Sequence, residues 1–322
     1  MKKRAIVMGA TSGIGQEVAR LLAANGYEVG IAGRREERLV QMAQATPGIV
    51  AHRQIDVTKE DAPTELHKLI EELGGMDLYF HSSGIGWENV ALDTDKELKT
   101  VETNGVGFVR MVSAAYNWFA EQRADETKQR AEGDEQRADE AKQRAEGDEQ
   151  RASDKERKAR IACITSIART RGLGAAPAYS ATKRMQAHYL ECLSQQTRMR
   201  HLNIGITDIR PGFVATDLIA GSHFPLQLKA EDVARTIVRA IEQGREVVTI
   251  DWRYRLLVAA WQLIPRWLGV RLTAIKKAYS HKIGLRALPA AFLTKACACW
   301  RNRSLCLLSF PQIFCASRGF KH

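Results

Sequence analysis

Gly9-Ala10-Thr11-Ser12-Gly13-Ile14-Gly15 is the stretch on which the fold turns. It ends an apolar run, Arg4–Gly9, that reads as a strand, and it opens an amphipathic stretch, Ile14–Asn25, that reads as a helix closed by Gly26. Glycines at such a turn let the backbone approach a pyrophosphate, whose charge then rests on the N-terminus of the following helix. A glycine pattern alone also fits an ordinary tight turn. Its place between a strand and a helix, at the head of a βαβ chain, predicts a dinucleotide site.

Working outward, the alternation continues. Tyr27–Gly33, Ile49–Ile55, Met76–His81, Arg160–Thr165, Asn203–Ile209 and Glu246–Ile250 read as strands. Between them Glu36–Ala45, Ala62–Leu73, Lys96–Ala120, Ala178–Met199 and Glu231–Gln243 read as helices. Short β-branched runs alternating with amphipathic stretches signal parallel βαβ units. The expected architecture is α/β, a doubly wound, Rossmann-type seven-stranded parallel sheet in a single domain, with ligands at the carboxyl ends of the strands.

Two segments do not belong to that pattern. Glu121–Lys155 is five successive seven-residue units, EQRADET, KQRAEGD, EQRADEA, KQRAEGD and EQRASDK. A coiled-coil seam needs two apolar positions per heptad, and alanine is the only recurrent apolar residue here. Gly133 and Gly147 each cost a helix about 1 kcal/mol. The repeat is expected to be a solvated insertion in a surface loop, without chemistry. The chain's end differs again: Asp251–His322 carries 13 Lys/Arg and one acid, so the net charge of +11 resides there and residues 1–250 are near neutral. The sequence thus divides into a dinucleotide-binding domain at 1–250, a basic amphipathic extension at 251–280 and an atypical tail at 281–322.

Four of the six cysteines, Cys297, Cys299, Cys306 and Cys315, crowd into that tail. Cys163 and Cys192 are too few for a disulfide framework. Cys297-x-Cys299 has neither zinc spacing nor paired histidines, and no metal is expected. The apolar run Ala5–Met8 stops at Gly9, short of the about 7–15 residues of a secretory segment. A cytoplasmic protein is the expectation.

The second candidate element is Gly33-Arg34-Arg35, at the end of the second strand. An acid there would accept from the adenosine ribose hydroxyls and repel a 2′-phosphate; arginine does the reverse. NADP(H) is therefore expected over NAD(H), since Glu36 and Glu37 fall at a helix start whose dipole explains them. Asp56, with Val57, ends the third strand where a carboxylate could reach the adenine amine; that contact is expected ahead of the alternative, a helix-start turn residue.

Tyr179-Ser180-Ala181-Thr182-Lys183 places a phenol and an ammonium four residues apart on one helix face. A free tyrosine titrates near 10, too high for acid–base work near neutrality. A cation at roughly 4 Å, at an effective dielectric near 20, contributes about 4 kcal/mol toward lowering it. Ser166 follows the fifth strand, where a hydroxyl could polarise a carbonyl. Asn104 lies inside a long helix, a poor place for asparagine unless its amide is used.

On G9-x-x-x-G13-x-G15, N104, S166, Y179-x-x-x-K183 and P211-G212-x-x-x-T216, the chain resembles the short-chain dehydrogenase/reductase superfamily over about residues 4–250, the repeat excepted. The resemblance implies Tyr179 as proton donor and acceptor, with Lys183 holding the nicotinamide ribose and lowering the tyrosine pKa. It further implies Ser166 orienting the carbonyl and Asn104 supporting a water relay to Lys183. The implied cofactor contacts are Gly9, Thr11, Ser12, Gly13, Ile14, Gly15, Arg34, Arg35, Asp56, Val57, Ser83, Gly84, Tyr179, Lys183, Pro211, Gly212, Val214 and Thr216. Two departures stand out. Met8 replaces the family's usual threonine, weakening a structural hydrogen bond, and His81-Ser82-Ser83-Gly84 replaces Asn-Asn-Ala-Gly, with His81 read as structural.

The function implied is hydride transfer between NADP(H) and a carbonyl or alcohol carbon of a small or lipid-like substrate. The other reading is a non-catalytic NADP(H)-binding regulator, which would be expected to lose the tyrosine or lysine. Specificity in this family lies in the loop after the sixth strand, about Asp217–Lys229, whose apolar content favours a hydrophobic substrate. Trp252–Ala278 interleaves tryptophans and leucines with arginines and lysines around Pro265. Its longest nearly apolar run, Leu256 to Pro265, is too short to span a bilayer, which takes about 20 apolar residues. It reads either as helices covering the cleft or a dimer face, or as a peripheral membrane contact. Homo-oligomers are expected and nucleic acid is not.

Overall fold

The computed structural model describes residues 2–122, 159–216 and 226–265, with 267 and 270. The repeat beyond Gln122, residues 217–225 of the specificity loop and the tail at 281–322 lie outside the described residues. Those described belong to one compact unit, Met1–Thr273.

Seven strands run in parallel: β1 (Arg4–Met8), β2 (Glu28–Gly33), β3 (Ile49–Gln54), β4 (Leu78–His81), β5 (Ala159–Ile164), β6 (Ile204–Pro211) and β7 (Val247–Ile250). Their order across the sheet is β3-β2-β1-β4-β5-β6-β7. After β3 the chain returns past β1, so β1 and β4 are neighbours across the point where the winding reverses. Helices α1 (Gly13–Ala24) and α2 (Glu36–Ala45) follow β1 and β2, and α3 (Ala62–Leu73) follows β3. After β4 come α4 (Thr94–Val101), a π-helical stretch (Glu102–Gly107) and the helix α5 at 108–122. A short 3-10 turn (Ile167–Thr170) and α6 (Pro177–Met199) follow β5, α7 (Ala230–Glu242) follows β6, and α8 (Trp252–Leu263) follows β7.

The two-residue period of the strands divides their side chains between two cores. Ile6, Met8, Tyr79, Ile161 and Cys163 point to one face, against Leu66 and Leu69 of α3, Phe108 and Met111 of α5, and Leu190 of α6. Ala5, Val7, Phe80 and Ala162 point to the other, against Val18 and Leu22 of α1, Leu39 of α2, and Ile237 and Ile241 of α7. Both faces are therefore dry, which is why the strands read as nearly continuous apolar runs.

The expected doubly wound sheet is present, with strand ends within a residue or two of the sequence reading. One element differs in kind. The single helix expected over Lys96–Ala120 starts at Thr94 and passes through the π-helical stretch around Asn104. Glu102-Thr103-Asn104-Gly105-Val106-Gly107 combines two glycines with poor helix formers, so its wider turn has little propensity to overcome. Among the described residues no helix is long and apolar enough to cross a membrane.

Candidate active site

The carboxyl ends of β1, β4, β5 and β6 converge at the reversal point, and each delivers a piece of the site. Gly9, with φ +86°, turns the chain out of β1 in the left-handed region that favours glycine. A Cβ on Gly15 would fall 2.2 Å from the Gly9 carbonyl oxygen, so the turn and the first helical turn are in backbone contact. Ser12 is the N-cap of α1, yet its side chain caps nothing and no acid occupies the first turn. The amides there keep their partial positive charge, which suits an anion.

Arg35 reaches back from the end of β2 to that turn. Its Nε and Nη2 donate to Thr11 Oγ1 at 3.1 and 2.7 Å, and Nη2 donates to Ser12 Oγ at 2.7 Å. Arg34 instead borders a cavity of about 290 Å³ with Gln54, Asp56, Lys59 and Glu65. Arg35 therefore faces the glycine turn, while Arg34 lies on the side of the Asp56 cavity. Asp56 Oδ1 accepts from Thr58 N at 3.0 Å and Thr58 Oγ1 at 2.9 Å, the local turn role that was the alternative to the expected adenine contact. Val57 is buried, and its carbonyl accepts from Arg110 at 2.9 Å. Ser82 N donates to Met8 O at 2.8 Å, which brings Ser83 beside Gly9, while Gly84 lies beside Asn104 and Lys183.

The remaining candidate side chains stand at the same carboxyl ends, after β4 and β5 and on α6. Glu97 of α4 accepts from Ala178 N at 2.8 Å, fixing the start of α6 one residue before Tyr179. Ser166 is buried at the N-cap of the 3-10 turn, where its Oγ accepts from Ala168 N at 3.1 Å. Its hydroxyl also hydrogen-bonds the Tyr179 phenol. Lys183 is buried, and its Nζ donates to Ile164 O and Gln186 Oε1, each at 3.0 Å. Asn104, fully buried, grips the loop after β4: its Oδ1 accepts from Ile85 N at 2.8 Å and its Nδ2 donates to Ile85 O at 2.7 Å. Asn104, Ser166, Tyr179 and Lys183 are therefore assembled in one place.

Electrostatically the site differs from the sequence expectation. Burial pushes the Tyr179 phenol above 10, and the Ser166 hydrogen bond pulls it only partly back. Lys183 Nζ lies 5.8 Å from the ring centroid, and its charge is not among the causes that move the phenol. Surface exposure alone makes Tyr179 half-buried. The packing around the phenol matters more here, because a dense shell removes hydration from an oxygen even when the ring edge is open. Burial also lowers the Lys183 ammonium to about 8, against the pull of Cys163 and Asp208. His81 is buried, bonded to Tyr79 through Nδ1 at 2.9 Å, and held down to about 3 by burial and by the Lys183 charge. It is neutral, as a structural residue would be.

At the far side, Gly212 N donates to Ile250 O at 2.9 Å, Val214 is buried and bridged to Leu228, and the Thr216 methyl packs on Gly13. The Pro211–Thr216 segment consequently spans from the end of β6 to the glycine turn. Sequence reasoning missed Gln186, although Tyr179, Lys183 and Gln186 form a polar stripe at helical spacing on a buried face. It also missed how α8 joins the site. Tyr254 lies fully buried against Gly212, its hydroxyl donating to Leu226 O at 3.0 Å. Arg171 donates to the carbonyls of Trp261 at 2.8 Å, Gln262 at 3.3 Å and Ile264, closing the C-terminal end of α8.

A sequence model of the short chain dehydrogenase family matches residues 3–125. An uncharacterized oxidoreductase of Myxococcus xanthus is 27% identical over 271 residues, 82% of this chain and 93% of the relative. Dehydrogenase/reductase SDR family member 7B of Bos taurus is 24% identical over 225 residues, 66% of this chain and 58% of the relative. Among solved structures, an alcohol dehydrogenase of the archaeon Thermococcus sibiricus in complex with 5-hydroxy-NADP aligns with TM-score 0.59 at 20% identity, covering 78% of this chain and 96% of that one. A 3-ketoacyl-(acyl-carrier-protein) reductase of Brucella melitensis in complex with NADH aligns at 0.61 and 18% identity, over 77% and 96%. A short-chain dehydrogenase/reductase of Burkholderia phymatum in complex with NAD aligns at 0.62 and 18%, over 80% and 92%.

Proposed function

We propose that this chain, similar to the short chain dehydrogenases over residues 3–125 and to an oxidoreductase of Myxococcus xanthus, transfers a hydride between NADP(H) and a carbonyl or alcohol carbon of a small or lipid-like substrate. The observation that carries this reading is the convergence of Ser166, Tyr179, Lys183 and Asn104 beside the Gly9–Gly15 turn. The dinucleotide would rest its pyrophosphate on the N-terminus of α1, and would supply or accept the hydride. The amides there, uncapped and without an acid nearby, fit a phosphate. Arg34 and Arg35 would take the adenosine 2′-phosphate.

In reduction the Tyr179 hydroxyl delivers a proton to the substrate oxygen, and in oxidation it takes one back. Ser166 Oγ, already within hydrogen-bonding reach of that phenol, holds the same oxygen. Lys183 contributes its charge: a phenol raised by burial releases its proton more readily the closer an ammonium stands. With its pKa at about 8, the lysine is charged at neutral pH. Reduction therefore weakens as pH rises through that value. Asn104 keeps the loop after β4 closed over the site through Ile85.

A non-catalytic NADP(H)-binding regulator gains nothing from four such groups gathered beside one turn. Proposed partners are further copies of the chain and, through the apolar side of 252–278, a membrane surface; Trp252, Leu256, Leu257 and Leu263 on α8 are exposed.

The test is a screen of ketones, aldehydes, sugars and lipid carbonyls that follows NADPH loss, with Tyr179→Phe as its control. That substitution should lower turnover by about two to four orders of magnitude while NADPH still binds. A Tyr179→Phe protein that keeps most of its activity would remove the assignment.

A further inference from the structure

Gln186 stands on α6 one turn beyond Lys183 and is fully buried. Its amide touches two groups of fixed polarity. Lys183 Nζ donates to Oε1 at 3.0 Å, and Nε2 donates to the Asn104 carbonyl oxygen at 2.8 Å. An ammonium can only donate and a carbonyl can only accept, so the amide has one orientation. The Asn104 carbonyl belongs to the π-helical stretch, where the regular backbone ladder is displaced and a carbonyl becomes open to a side chain. Gln186 thus links the lysine to the Asn104 carbonyl directly through its side chain.

We propose that Gln186 is a positioning residue for the proposed reaction, tying the Lys183 ammonium to the π-helical stretch at Asn104 and helping to keep it charged inside the protein. It rests on the reading of Tyr179 and Lys183 given above. The groups that face the ammonium come from four elements. Tyr179 shares α6, Cys163 comes from β5, Asp208 from β6 and His81 from β4. His81 is neutral, and burial pushes the Cys163 thiol up, so it too is uncharged. Asp208 is occupied by the Thr165 hydroxyl and by Arg210 Nε at 2.7 Å. What directly touches Nζ is two neutral oxygens, of Ile164 and Gln186. Deleting one of them removes half of that support, because a buried ammonium depends on its acceptors in place of water.

The test reads Lys183 itself and needs no substrate. The full chain is labelled with 13C at the lysine ε-carbon and titrated by NMR, with Lys183→Arg identifying the resonance. Gln186→Leu should lower the Lys183 pKa by about one to two pH units, the worth of a hydrogen bond to a charged group. Gln186→Glu, nearly the same shape, should raise it. In a carbonyl-reduction assay the alkaline limb should move with the titration, down for leucine and up for glutamate. A merely structural glutamine would lower melting temperature in both variants and move neither limb nor titration. An unchanged Lys183 titration in the folded variants overturns the proposal. Should Gln186→Leu fail to fold, Gln186→Glu alone decides. If the titration shifts as expected while Tyr179→Phe stays active, only the catalytic reading falls; if Tyr179→Phe is dead and the titration stays still, only the role of Gln186 falls.

Discussion

At the proposed cofactor end of the site, Gly9, Thr11, Ser12, Gly13 and Gly15 lie within one short turn and would act largely through the backbone. At the proposed reactive end, Asn104, Ser166, Tyr179, Lys183 and Gln186 come from three separate segments and would act through side chains and one freed carbonyl. The difference is one of tolerance. A backbone site has no slack, since a single methyl meets main chain that cannot move. A side-chain site accepts isosteric changes without strain and fails only in its chemistry.

The sharpest way to break this comparison is Gly15→Ala. The new Cβ would meet the Gly9 carbonyl oxygen at 2.2 Å and its carbon at 2.9 Å. Overpacking against backbone should cost about 3 kcal/mol of stability, and dinucleotide affinity should fall roughly a hundredfold or more. Urea melts and isothermal titration read the two losses together. If Gly15→Ala binds and melts like wild type, the backbone end is more forgiving than the geometry allows.

The charges flanking the turn come next. Arg34→Asp should weaken NADPH by roughly ten- to a hundredfold and spare or improve NADH, because the new carboxylate repels a 2′-phosphate and accepts from ribose hydroxyls. Arg35 already contacts Thr11 and Ser12, so the double substitution should have the larger effect. Wild-type protein that binds NADH at least as tightly as NADPH would end the cofactor assignment.

A third region couples the two ends. Gly212 carries no side chain where the Tyr254 ring lies, and a Cβ there would sit 2.2 Å from Cε2. Gly212→Ala should cost about 1–3 kcal/mol. In Tyr254→Ala, which empties that space, the same step should be nearly neutral, since residues in contact do not add. Additive effects in the double mutant would show that α8 does not bear on the segment after β6.

The smallest effect is a slope. His81 titrates at about 3 in the folded chain against 6.5 for a free histidine. Between those values the unfolded chain binds more protons, so stability falls as pH drops from 6.5 toward 3, by at most about 1.4 kcal/mol per pH unit. His81→Asn should remove that part of the acid sensitivity, measured as unfolding free energy at pH 6.5 and 4.5. An unchanged slope would mean that the buried imidazole gains a proton without opening the core.

The strands and most helices were legible because their signals are local. Ala5 to Met8 and Leu78 to Phe80 alternate between two dry faces, and that pattern needs only neighbours to be read. The π-helical stretch was not legible, because a widened turn differs from an α-turn by one hydrogen-bond step that no residue type encodes uniquely. Gln186 was passed over for a related reason. A glutamine near a helix surface is ordinary; only burial beside Lys183 makes it informative.

The sequence by itself determined the order of strands and helices, the glycine turn that a phosphate can approach, and the identities of a phenol, an ammonium, a hydroxyl and an amide. These follow from periodicity and from chemistry that each residue carries wherever it goes. Tertiary structure alone decided which arginine meets the turn, that Asn104 holds Ile85, that Gln186 occupies the gap between Lys183 and Asn104, and that burial drives the phenol up and the ammonium down. Distance and desolvation set those outcomes, and neither exists until the sheet has brought segments far apart in the chain to within a few ångströms of one another.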